Sequence, residues 1–253
     1  MLGALRYACC RRLLLSFSAF IAVSGIAAVA WARVPEPYQI ETVQLETSGK
    51  LAKTLADGLE PQGVRLFTFE NGVRMNVCDI FWAKSVAEQD AAPASGKLVY
   101  GNLKPGAFIG VVHFLPEADQ EYRKDFRNQK LKPGYYTLRY GVMDAGIGAH
   151  GPEPGDFVVL SPATVDQNYA RVVPRAELIR LSRMASHTKE PAVMSLIEVT
   201  TARKNFPDVS TDYAGTCVLQ VKLRLKPKKG EAAGREMAVA VVVLTPLEEG
   251  EGS

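Results

Sequence analysis

Asp144, His150 and Asp156 are the three side chains of this chain that could jointly hold a metal ion or pass a proton. His150 lies in the glycine-rich stretch Asp144-Ala-Gly-Ile-Gly-Ala-His150, and Asp156 opens the apolar run that follows. An imidazole with two carboxylates can bind a divalent metal or do acid–base work, and loops on a rigid scaffold are where such groups tend to sit. The spacing matches no established ligand pattern, and Gly, Asp and His are also ordinary turn residues. The trio is therefore a candidate metal site, with a divalent ion as the one candidate cofactor. The other two histidines read as structural. His113 shares a strand face with Ile109, Val111 and Leu115, and His187 follows a helix, whose carbonyl end favours a cation.

Signatures of the common catalytic classes are missing. Ser48-Gly49-Lys50 and Ser95-Gly96-Lys97 lack the upstream glycine and the following Ser or Thr of a phosphate-binding loop. There is no G-x-S-x-G and no H-E-x-x-H. Tyr136, Arg139 and Tyr140 are candidate ligand-binding residues, because Tyr135, Tyr136, Tyr140 and Trp82 could form an aromatic platform for sugars. Strand aromatics also serve as plain packing.

The first 32 residues set the compartment. Arg6, Arg11 and Arg12 precede an apolar run over residues 13–32 that ends in Ala30-Trp31-Ala32. A positive segment, an apolar segment and a small-x-small site together read as an export signal. The adjacent Arg11 and Arg12 faintly resemble a twin-arginine signal. The apolar run also nears the length that spans a bilayer, so an uncleaved N-terminal anchor is the alternative to cleavage. The expected location is the periplasm or the extracellular space, or the inner membrane if the anchor stays.

Charge and cysteine usage follow from that reading. Three of the 30 Lys and Arg lie in residues 1–32, which contain no acid, so the rest carries 27 basic and 27 acidic residues. A balanced surface argues against nucleic acid as a partner, since that needs a basic surplus to displace counterions. Cys78 and Cys217 are the cysteines beyond the apolar run. An oxidising compartment permits one disulfide between them, and the chain-entropy model gives roughly 4–5 kcal/mol for so long a loop. Two buried free thiols are the alternative. With no C-x-x-C and no His nearby, a zinc site is not indicated.

The elements that must position these groups read mainly as β. Residues 33–61 form an N-terminal extension, extended at Pro35 and Pro37 and then helical through Leu45, Leu51, Leu55 and Leu59. Strands over 64–70 and 73–78 flank Asn71-Gly72, a strong type I′ hairpin signal. The apolar phase of the second strand switches near Cys78, which predicts a bulge or bend. Leu-Lys-Pro-Gly occurs at 103–106 and again at 131–134, each copy a turn feeding a strand, over 107–115 and 135–143. A short apolar strand follows over 156–161. Pro174 opens the clearest helix, over 174–186, with Leu178, Leu181 and Ala185 along one side. The last three strands run over 192–200, 216–226 and 236–245. In the middle one Cys217, Leu219, Val221, Leu223 and Leu225 should face inward, and Gln220, Lys222, Arg224 and Lys226 should face water. The last is apolar on both faces and should be central. An antiparallel β-sandwich with one or two short helices is expected over residues 62–246, followed by an acidic tail over 247–253.

Residues 124–162 carry Lys-Asp-Phe-Arg-Asn-Gln-Lys-Leu-Lys-Pro-Gly-Tyr-Tyr-Thr-Leu-Arg-Tyr-Gly, then Asp144, His150 and Asp156-Phe157-Val158-Val159-Leu160, with Pro191-Ala192-Val193-Met194-Ser195-Leu196 downstream. This resembles an uncharacterised family of exported bacterial proteins with a P-G-x-Y-T-L-R-Y-G strand. The resemblance covers about a third of the chain. It implies export and a β fold, and no activity. The functional expectation is a non-enzymatic envelope module that binds a protein or a glycan, and touches a membrane only through residues 13–32 if these are retained. The alternative is a metal-assisted or hydrolytic enzyme built around His150.

Overall fold

In the computed structural model of the chain the described residues are 37–46, 51–70, 72–89, 98–116, 123–125, 127–143, 155–199, 205–211, 215–228, 230 and 233–244. They belong to the unit Glu36–Ser253. Its elements are β1 (Tyr38–Gln44), α1 (Lys53–Ala56), β2 (Gln62–Glu70), β3 (Val73–Trp82), β4 (Phe108–Phe114), β5 (Arg123–Lys124), β6 (Lys130–Leu131), β7 (Gly134–Met143), β8 (Gly155–Pro162), α2 (Arg175–Ser186), β9 (Val193–Ile197), β10 (Asp208–Thr211), β11 (Cys217–Arg224) and β12 (Glu236–Leu244).

Local chemistry explains most of these. β2 and β3 meet at the expected tight turn, where Gly72 takes φ +78°, a conformation that costs glycine nothing. The expected irregularity near Cys78 is a bulge: Leu66 pairs with Cys78 and Phe67 with Asn76, so Val77 has no partner of its own. Gly106, in the first Leu-Lys-Pro-Gly copy, has φ +83°, and a Cβ there would come within 1.9 Å of the Val173 carbonyl oxygen.

Ten strands form one antiparallel sheet in the order β1-β2-β3-β4-β7-β8-β9-β12-β11-β10, and β5 pairs with β6. β9 is the corner. Its residues 193–195 pair with β8, and Leu196 and Ile197 pair with β12. A strand that changes partner in this way turns the sheet. β1 and β10, the two ends of the order, come into contact, and the sheet is a nearly closed barrel. Its interior is one packed core that includes Leu66, Ile80, Phe114, Leu138, Leu160 and Leu219. The helix α2 lays Leu178 and Leu181 on Val159 and Val193, which lie on the other face of β8 and β9.

Three expectations change. The extension over 33–61 is not separate from the β domain: β1 pairs with β2 along its whole length, and the helix shrinks to the single turn α1. Gln220, expected in water, is buried at 7% exposure. Its face of the sheet is apolar, with Val218, Ala240 and Val242 packed beneath Val199, and Phe206 lies near Lys222 on the same strand. The Cys78–Cys217 bridge is not formed. Both thiols are free and buried in the core, where a neutral thiol packs as a small apolar group. Burial pushes the Cys217 thiol up to about 12, and burial together with nearby Cys217 raises Cys78.

Candidate functional site

Most groups singled out from the sequence work inside the fold. Asp156 is buried and both its oxygens are engaged. Oδ1 accepts from the Tyr140 hydroxyl at 2.5 Å, and Oδ2 accepts from the backbone N–H groups of Val99 at 2.7 Å and Tyr100 at 3.3 Å. Burial, then the Asp156 carboxylate, raises the Tyr140 phenol far above its usual value. The Tyr100 hydroxyl in turn accepts from the Ala240 N–H and donates to the Ile197 carbonyl. Ala240 and Ile197 are a cross-strand pair, so this phenol bridges the ladder where β9 leaves β8. Asp156 thus anchors the chain that secures the corner. Asp144 and His150, its expected partners, lie outside the described residues. Among the described residues no group of three His, Cys, Asp or Glu side chains could hold a metal ion.

Tyr136, Arg139 and Tyr140 form no exposed platform, because β7 sits in the middle of the sheet. Tyr136 and Tyr140 are buried on the core side, and the Tyr136 hydroxyl donates to the Lys132 carbonyl. Arg139 is fully buried and its nitrogens are all engaged. Nε and Nη2 grip Asp166 at 2.6 and 2.8 Å, Nη1 donates to the carbonyls of Gly106 and Arg171, and Nη2 also donates to the carbonyl of Asn168. Thr137 adds a bond to the same carboxylate at 2.6 Å. Together they pin the loop over 166–171 to the barrel wall.

The register also builds a feature that no local pattern announces. Glu41 lies opposite Arg65, Arg65 opposite Asp79, Asp79 opposite His113, and His113 opposite Tyr135. These five residues make a transverse row across β1, β2, β3, β4 and β7. Arg65 forks onto Asp79 through Nε at 2.6 Å and Nη2 at 2.8 Å, and its Nη1 lies 4.0 Å from Glu41. Arg74 reaches the same Glu41 oxygen at 2.5 Å. These guanidinium groups, Arg74 first, hold the Glu41 carboxyl below its ordinary value. His113 and Tyr135 stack with ring centres 3.9 Å apart and planes 3° from parallel. Burial raises the Tyr135 phenol, and the Asp79 and Glu46 carboxylates raise it further.

The row is covered at its middle and more open toward its ends. Asp79 is buried, His113 and Tyr135 are half-buried, and the Arg65 and Glu41 side chains are 31% and 40% exposed. His113 is a half-buried strand residue, in keeping with its place on a strand face, and no local motif singles out Glu41, Arg65 or Asp79. Charged residues at outward strand positions are common, and only the pairing of distant strands brings these into line. A search among protein-family models, curated proteins and solved structures finds no match for this chain.

Proposed function

We propose that this is an exported, non-enzymatic β module that binds a protein of the bacterial envelope through the Glu41–Arg65–Asp79–His113–Tyr135 row. Export rests on the N-terminal 32 residues and on the resemblance carried by residues 124–162. The β9 corner supports describing the barrel as two packed layers, a sandwich with one joined edge.

One observation carries the binding role. Arg139, Asp156 and Tyr140 are buried with their bonds made inside the fold, whereas the row presents both signs of charge and a stacked ring pair at a partly open face. Arg and Tyr are favoured where protein interfaces concentrate their energy, and paired charges at such a face select the partner and its register.

The test compares capture from the envelope fraction by the full-length protein and by two variants, Glu41→Lys and Tyr135→Ala, each checked for its β signature by circular dichroism. One protein retained by the wild type and lost from both variants is the expected result. Variants that retain the same proteins as the wild type would remove the row from the proposal.

A further inference from the structure

The helix α2 is one-sided. It buries Leu178, Leu181, Ser182, Ala185 and Ser186, and Leu178 and Leu181 rest on Val159 and Val193 of the sheet. Successive helical residues turn by about 100°. The side opposite the sheet therefore carries Ala176, Arg180 and Arg183, and His187 follows at the C-cap. All four are exposed. Arg180 and Arg183 are neighbours on this crest, with Cβ atoms roughly 5–6 Å apart, and Lys189 is exposed just beyond it.

The acids nearby are already engaged by other arginines. Residues 171–190 hold five Lys and Arg against two Glu. Glu177 accepts from Arg171 at 3.0 Å, and Glu190 accepts from Arg127 at 3.3 Å. Among the described residues no hydrogen bond or ion pair engages Arg180, Arg183 or Lys189. The chain beyond residue 32 has equal numbers of basic and acidic residues, so this surplus is a local segregation of charge.

Charge complementarity calls for an anionic occupant, and the two guanidinium forks, with their donors unused, match phosphate oxygens. The crest is an open helical ridge. Met184, 44% exposed, is the one large apolar side chain that α2 exposes, too little for the apolar centre of a stable protein interface. The apolar side of the helix is occupied by the barrel, so α2 has none left to sink among acyl chains.

We propose that the α2 crest docks electrostatically on an anionic phospholipid surface through Arg180, Arg183 and Lys189. Each Lys or Arg near such a surface strengthens binding about fivefold. Three give a gain on the order of a hundredfold, a reversible contact that salt screens. The Glu41–Tyr135 row lies on other strands than β8 and β9, on which α2 packs, and the two surfaces are tested independently.

The probe is vesicles of phosphatidylcholine mixed with phosphatidylglycerol, set against vesicles of phosphatidylcholine alone. Full-length protein, with residues 13–32 covered by a non-ionic amphipol, is floated with each. Flotation with the mixed vesicles alone is the expected result. Arg180→Gln and Arg183→Gln should each weaken it about fivefold and the double variant about 25-fold, and salt at about 1 M should release the protein. Arg224→Gln removes an exposed charge from β11 and should leave flotation unchanged. Equal flotation with both vesicles, no flotation with either, or equal losses from Arg224→Gln and the crest variants, in proteins that keep their circular dichroism, would overturn the proposal. Retention on poly-glutamate without flotation would overturn it in favour of an acidic protein.

Discussion

Arg139 and Arg65 both project from the sheet toward a carboxylate, yet they do different work. Arg139 stands on a central strand beneath the loop over 166–171, fully buried, with Asp166 and three backbone carbonyls on its guanidinium. Arg65 stands near the edge of the sheet, 31% exposed, bound to Asp79 and within 4.0 Å of Glu41. A buried ion pair keeps both groups satisfied and is costly to disturb, because either partner left alone is an uncompensated charge in a poor solvent. The Arg65–Glu41 contact, with both side chains partly exposed, contributes little to stability and stays open to exchange with another charged surface. The same pair of residue types therefore serves as a structural pin in one place and, under the proposed function, as part of a recognition surface in the other.

Substitutions should widen or close that difference. Arg139→Met leaves Asp166 buried and unpaired and should cost about 3–5 kcal/mol in denaturant unfolding. Adding Asp166→Leu should recover a substantial part of that loss, and a double variant no more stable than the single would refute the pin. Asp156→Ala strands the Tyr140 hydroxyl and the amides of Val99 and Tyr100. It should cost about 2–3 kcal/mol, since each unsatisfied buried group carries its own desolvation penalty.

Alkaline pH tests the core thiols. An unfolded thiol ionises near pH 9, whereas the folded Cys217 keeps its proton to about 12. Raising the pH through that window favours the unfolded chain. The stability contribution is complete below pH 9 and falls by about 1.4 kcal/mol per pH unit for each such thiol above it. Cys217→Ala should flatten the slope, measured as unfolding free energy against pH, and an unchanged slope would exclude this origin. The smallest effect belongs to the exposed row. Glu41→Lys should leave the melting temperature unchanged while abolishing partner capture, the reverse of what Arg139→Met does.

Parts of this were legible in the residues themselves. The alternation of β11 places Leu219, Val221 and Leu223 in the core and leaves Lys222 and Arg224 exposed, as expected. Asn71-Gly72 marks a hairpin and the phase switch beside it a bulge. β12, apolar on both faces, is central, between β9 and β11. β1 was not legible as a strand, because Tyr-Gln-Ile-Glu-Thr-Val-Gln buries no side chain fully and is held by its ladder to β2. The burial of Gln220 was hidden for a similar reason: its strand is flanked by β10 and β12, and its face carries Val218, Ala240 and Val242, contacts that only the strand pairing brings together.

Strand, turn and export signals arise from neighbours within a few positions, so local backbone chemistry is enough to write them. The row across β1, β2, β3, β4 and β7 and the pin at Arg139 belong to a different order of interaction. They join residues up to about a hundred positions apart, and they exist only once strand pairing has chosen a register. A shift of one residue in any of those ladders would turn each side chain to the opposite face. Arg139 and Arg65 are both strand arginines paired to an aspartate, and it is the packed sheet that buries one and leaves the other partly open at the rim.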